Sequence, residues 1–212
     1  MKKGFTLVEL MVVLGVFGVI TVVATRILLQ IIQDSNKTTL QNELRQTAER
    51  IMSDVGSEIR RSGCVKIKPW LDNNGNLQEE YCPNPNPPGP DVLCTRIITY
   101  RELLKTGPPG KFECATSPGP LVTYTNYHGT GRLTKQVGVS GPVSDILPPR
   151  AAAHGCGLCT GTCSSPGLIP KNVSVQAGVP IEVILKLQQS GAARADFCAS
   201  VTLDEEFFPR NI

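Results

Sequence analysis

Residues 5–25 read FTLVELMVVLGVFGVITVVAT. These twenty-one residues hold one charge, Glu9, and no proline. As a helix rising about 1.5 Å per residue they would extend about 30 Å, the thickness of a bilayer's hydrocarbon core. Lys2 and Lys3 precede the run and Arg26 follows it. Lysine and arginine favour the cytoplasmic side, so the lysine end is expected inside and residues 27–212 outside. Arg26 can reach the far interface along its own aliphatic stem. The competing reading is a cleaved secretory signal ending near Val22-Val23-Ala24. It fits less well, because signal cores usually span about 7–15 residues and a carboxylate within one is costly.

Glu9 needs a reason to be there, since an ionised carboxylate in hydrocarbon survives only when paired. Within its own chain the nearest available cation would be a free amine one turn back. The stretch Gly4-Phe5-Thr6-Leu7-Val8-Glu9-Leu10 resembles the cleavage motif of type IV prepilins and type II secretion pseudopilins. The shared features are a short basic leader, Gly before the cut, Phe after it, and Glu five residues into the mature chain. The resemblance implies that a membrane-embedded prepilin peptidase cuts between Gly4 and Phe5 on the cytoplasmic side and that Phe5 is then N-methylated. It also implies that Glu9 pairs with the amine of a neighbouring subunit and sets filament register. One departure stands out. Many major pilins carry a helix-breaking Pro about where Arg26 stands, and its absence favours a minor subunit.

The helical pattern continues past the membrane segment. No proline occurs before Pro69, and Leu40, Leu44, Ala48, Ile51, Val55 and Ile59 recur at steps of three and four. That is one apolar face. Asn42, Glu43, Arg45, Gln46, Glu49, Arg50, Asp54 and Glu58 make the other. Arg60 and Arg61 suit a last turn, and Gly63 can end it. One helix over residues 5–61 is expected. A coiled coil is the alternative, but the regular stretch is under about three heptads.

The stripe needs a surface to pack on. Arg96–Tyr100 and Leu121–Tyr124 are rich in β-branched and aromatic residues, as strands are. Ile181, Val183, Leu185 and Leu187 alternate with Glu182, Ile184, Lys186 and Gln188, and Phe197, Ala199, Val201 and Leu203 alternate with Cys198, Ser200 and Thr202. Joined by Ser190–Arg194, these two runs predict an antiparallel hairpin with one buried face. The expected class is α+β, a long N-terminal helix laid on an antiparallel sheet with long disulfide-tied loops, the type IV pilin fold. The expected division is a leader at 1–4, a membrane or filament-core helix at 5–26, its amphipathic continuation at 27–62, and a globular β domain at 63–212. The helix end at Asp54–Gly63, the central Ile-X-Tyr strand and the final hairpin are similar to the PilW-like minor pilins and to the J-type pseudopilins of type II secretion.

Eight cysteines in 212 residues fit an oxidising compartment. Cys64, Cys82, Cys94, Cys114, Cys156, Cys159, Cys163 and Cys198 are expected in disulfides, and roughly a hundred pairings are possible. Cys82 and Cys94 flank a run of five prolines between 83 and 90, which excludes helix and central strand. A Cys82–Cys94 bridge at its base is a hypothesis from proximity. Cys156-Gly-Leu-Cys159-Thr-Gly-Thr-Cys163 could hold zinc with His154 as a fourth ligand, or act as a redox pair. The surrounding glycines argue against the helix start a redox CxxC needs, so structural bridges are preferred. Asp72-Asn73-Asn74-Gly75-Asn76 resembles half a calcium loop but lacks the distal acid, and reads better as an Asx turn. The sequons at Asn36 and Asn172 are too short to carry weight.

Formal charge is +3, and Lys2 and Lys3 account for two of it, so no direct nucleic-acid binding is expected. His128 and His154 sit in Gly-rich loops, and no nucleophile–base pair, P-loop or HExxH stretch occurs, so no enzyme and no cofactor are expected. The reading is a minor type IV pilin or pseudopilin. Its expected partners are the prepilin peptidase, other pilins through the N-terminal helix, and inner-membrane lipid before assembly. Its expected location is the bacterial inner membrane as a single-pass protein, N-terminus cytoplasmic, then the pilus or pseudopilus. A tip adhesin or binding module, and a membrane-anchored metal or redox protein using Cys156–Cys163, are the alternatives.

Overall fold

Helix α1 (Leu7–Arg61) runs unbroken for 55 residues. No proline interrupts it, and its two membrane-segment glycines, Gly15 and Gly18, sit in regular helix with open space around them. In a computed structural model of the chain, the described residues are 6–68, 70–71, 77–78, 80–83, 90–101, 103–105, 112–115, 119–128, 130–149, 151–153, 167–171, 180–189 and 199–208.

The chain divides into two compact units, Met1–Leu40 and Gln41–Ile212, and α1 contributes to both. In the first unit every large apolar side chain from Leu7 to Ile32 is exposed. In the second, the helix turns one face inward and buries Leu44, Ala48, Ile51, Met52, Val55, Gly56 and Ile59. The globular unit therefore takes in about the last six turns of the helix rather than beginning after it. Ser62 closes α1: its N–H donates to Glu58 O at 3.0 Å and its hydroxyl to Ile59 O at 2.7 Å. Gly63, two residues past the end of the helix, donates its N–H to Tyr100 O at 3.1 Å and leads into the first strand.

Fourteen strands follow among the described residues. The larger sheet has β1 (Cys64–Lys68), β4 (Glu80–Cys82), β5 (Val92–Tyr100), β8 (Val122–Tyr127), β9 (Leu133–Val137) and β10 (Val143–Asp145). Its order is β1-β5-β8-β9-β10, every pair antiparallel, with β4 also on β5. At nine residues, β5 is long enough to pair with β1 through 96–100 and β4 through 92–94. It is the central strand, covered on both faces, which is why it reads as an apolar run rather than an alternation. Ile67, Ile97, Tyr124 and Lys135 stand in one cross-strand row under the helix.

Two short ladders pair β2 (Trp70–Leu71) with β3 (Leu77–Gln78) and β6 (Leu103–Lys105) with β7 (Phe112–Cys114). The second sheet holds β11 (Ala151–Ala153), β12 (Leu168–Lys171), β13 (Ile181–Gln189) and β14 (Ser200–Phe207). β13 buries Ile181, Val183, Leu185 and Leu187, the inward set of the alternation. β14 differs from the expected strand at 197–203, for it runs on to Phe207. Ladder pairing with β13 continues to Ile181↔Phe207, and Phe207 is buried against Gly56 of the helix, where a Cβ would run into its ring. That anchor carries the strand through three exposed acids.

Asn126 ties the sheets together. Fully buried in β8, it donates Nδ2 to Arg132 O at 3.1 Å and to Ala153 O at 3.3 Å, and its Oδ1 accepts from the N–H groups of Gly167 and Leu168. All four of its hydrogen-bonding positions are used, as a buried amide requires. Gly131, at φ 64°, makes the β8–β9 turn that brings Arg132 round to Asn126.

Among the described residues, two disulfides brace the larger sheet. Cys64–Cys114 joins the first residue of β1 to β7, and Cys64 packs with Ile98 and Tyr100. Cys82–Cys94 links β4 to β5 diagonally across their ladder, at the base of the proline run.

Candidate functional site

The helix start is built from Thr6 and Glu9. The Thr6 N–H donates to Glu9 Oε2 at 3.4 Å, the Thr6 hydroxyl donates to the same oxygen at 3.3 Å, and the Glu9 N–H donates to Thr6 Oγ1 at 3.3 Å. This is a capping box, in which two helix-end N–H groups are satisfied reciprocally. Thr-X-X-Glu is a readable sequence signal, and it gives the Glu9 carboxylate a partner within its own chain. The acid also sits in the first turn, where the helix dipole favours negative charge.

Behind this cap the exposed stretch Leu7–Ile32 contains an 18-residue window apolar enough, by length and composition, to cross a membrane. Phe17 and Thr21 accept the hydroxyls of Thr21 and Thr25 at 2.8 Å, so the two threonines return their polar groups to the helix backbone. No other charge than Glu9 stands in the segment before Arg26. Gly4 and Phe5 lie outside the described residues.

A second polar assembly holds the helix on the larger sheet. Asp54 accepts from Lys135 Nζ at 2.7 and 2.8 Å and from the Tyr124 hydroxyl at 2.8 Å. The Lys135 ammonium also lies 5.5 Å from the Tyr124 ring centroid. Burial, and after it the Asp54 carboxylate, push the Tyr124 phenol far above its ordinary pKa. It is thus a fixed donor. Beside this triad a groove of about 880 Å³ opens between α1 and the chain after β9. At its rim Asp145 takes two hydrogen bonds from the Arg132 guanidinium, at 3.1 and 2.7 Å, and that bonding raises the Arg132 pKa.

The remaining predicted positions divide as follows. Cys64, Cys82, Cys94 and Cys114 are joined in the two bridges above. Cys156, Cys159, Cys163, Cys198 and His154 lie outside the described residues, as do Asp72–Asn76, Asn172–Ser174 and the Ser190–Arg194 link. His128 is buried at the end of β8, its Nε2 2.7 Å from Thr95 Oγ1. Asn36 lies in mid-helix, where Thr38 bonds back to Asp34 O. Among the described residues no three His, Cys, Asp or Glu side chains converge as metal ligands would.

Residues 1–25 match the family model described as the prokaryotic N-terminal methylation motif. The match supports a type IV pilin-like or pseudopilin subunit, a class of structural subunits that a prepilin peptidase processes and that assemble with other pilins. Together with the apolar helix it points to membrane anchoring followed by a pilus. Comparison with curated proteins returns no match, and neither does comparison with solved structures.

Proposed function

We propose that this chain is a minor type IV pilin or pseudopilin, PilW-like in layout, that is cut between Gly4 and Phe5, methylated at Phe5, and inserted into a filament through its N-terminal helix. The observation that carries the reading is the methylation motif at residues 1–25 leading directly into a capped, wholly exposed apolar helix. Such a helix needs an apolar surrounding, which lipid supplies before assembly and neighbouring helices supply after it. The lysine end lies in the cytoplasm and the β domain outside. Glu9 would pair with the new amine of an adjacent subunit once the leader has gone.

The mass of the mature N-terminus tests this. The expected product begins with N-methylated Phe5 and is found in surface filaments or in a membrane pseudopilus fraction. Gly4→Val should leave the leader attached. A Gly4→Val chain still cut at Phe5 would remove the peptidase assignment, and an unprocessed parent chain would remove the whole reading.

A further inference from the structure

The groove beside Asp54 is lined by polar Thr47, Arg50 and Asp54 on the helix and by apolar Ile146, Leu147 and Pro148 opposite. Its two carboxylates are already matched, Asp54 by Lys135 and Asp145 by Arg132. Arg50 has no ion-pair partner among the described residues. The groove therefore presents one unneutralised guanidinium next to an apolar wall. That chemistry suits a carboxylate carried beside a large apolar side chain.

The end of β14 offers that combination. Asp204, Glu205 and Glu206 are exposed and have no ion-pair partner among the described residues. Phe208 follows at 56% exposure. The chain's own β14 end cannot reach the groove. It docks at Gly56 through Phe207 and under Arg60, whose guanidinium lies 5.6 Å from the Phe207 ring centroid. Gly56 and Asp54 are two residues apart, so they face directions about 200° apart round the helix. The groove opens on one flank of α1 and β14 occupies the other.

We propose that the groove receives the Asp204–Phe208 segment of a second copy of this chain, with Glu205 or Glu206 on Arg50 and Phe208 against Leu147 and Pro148. The two patches are unlike and complementary, so the contact is heterologous, the kind that can propagate from copy to copy. This rests on the subunit reading above, and it needs only two adjacent copies, so it holds for a subunit present in small numbers. The plainer role for the acids is to keep the β14 edge from pairing with other strands. Lysine would serve that purpose equally well, which separates the two ideas.

The test uses the full-length chain in membranes of a processing host, with a benzophenone-bearing residue placed at position 147. Irradiation should give a dimer whose cross-linked peptide contains residues 204–208 of the other copy. Arg50→Glu should lower that yield about tenfold or more, the effect of one interfacial charge pair, and so should Glu205→Lys with Glu206→Lys. Combining the reversals should restore the yield to within about twofold. No dimer, a dimer linked elsewhere, a link within one chain, full yield from the single reversals, or no rescue would each overturn the contact. Mapping of the Cys64–Cys114 and Cys82–Cys94 bridges in every variant confirms that the domain has folded. The N-terminal mass from the same samples separates the two claims: processing at Phe5 without the cross-link sinks this contact alone, and the cross-link without processing sinks the pilin reading alone.

Discussion

Thr6 and Glu9 bind each other reciprocally across the first turn of α1, backbone to side chain in both directions. Glu9 thus has a local task, capping, besides the proposed pairing with a neighbour's amine, and an alanine substitution would abolish both. Glu9→Gln separates them, since Gln can complete a capping box but carries no charge. Processing at Gly4–Phe5 is expected to continue in Glu9→Gln, Glu9→Ala and Thr6→Ala. Glu9→Gln should be excluded from filaments as fully as Glu9→Ala. Thr6→Ala, which loses only a cap of about 1 kcal/mol, should still enter them. Quantitative immunoblotting of filament and membrane fractions reads the result. Normal incorporation of Glu9→Gln would mean that capping alone explains the residue.

Gly56 lets the last strand approach the helix. Ala is normally the better helix former by about 1 kcal/mol. At this position its Cβ meets the buried Phe207 ring, and overpacking of that kind costs about 1–3 kcal/mol. Gly56→Ala is therefore expected to lower the stability of the full chain in detergent micelles by up to about 2 kcal/mol net in urea unfolding. Adding Phe207→Leu, which shortens the intruding group, should recover part of the loss. A Gly56→Ala chain more stable than the parent would show that β14 can withdraw without cost.

The two bridges should differ in worth. Cys64–Cys114 closes a sequence separation of 50 and Cys82–Cys94 one of 12. Chain-entropy estimates give about 4 and about 3 kcal/mol. Cys64→Ala with Cys114→Ala should accordingly shift the urea midpoint further than Cys82→Ala with Cys94→Ala. The opposite order would mean that the proline run depends more on its clasp than loop length implies.

Elements with a strong period were legible from the sequence. The stripe from Leu44 to Ile59 is the buried face of α1, and the alternation at Ile181–Leu187 is the buried face of β13. Length and burial made both unambiguous. Three features were not legible, each for a physical reason. The end of β14 was not legible because Asp204, Glu205 and Glu206 look like a loop, while pairing with distant β13 and the contact of Phe207 with Gly56 keep them in a strand. Asn126 carries no local pattern, since its four partners come from residues 6 to 42 positions away. The Asp54–Lys135 pair spans 81 residues and needs the whole sheet order to be known. The Thr6–Glu9 box, in contrast, was local and could have been read.

Tyr124 should give the domain a specific alkaline limit. Its folded pKa is raised, chiefly by burial, and that of Tyr100 is raised by burial alone. Below the ordinary tyrosine pKa of about 10 both phenols stay protonated whether the chain is folded or not, and stability does not depend on them. Above about 10 the unfolded chain loses these protons and the folded chain keeps them, so the unfolded state gains. Stability should fall by about 1.4 kcal/mol per pH unit for each such tyrosine. Tyr124→Phe removes one of the two. Near pH 8 the variant should be less stable than the parent by about 1 kcal/mol, because Asp54 loses a hydrogen-bond donor. The gap should close as pH passes about 10 and reverse within about another unit. Urea unfolding of both chains across that range, in the same detergent, checks it. Parallel curves would mean that the Tyr124 phenol ionises as readily in the folded domain as outside it, and that its bond to Asp54 does not hold the proton.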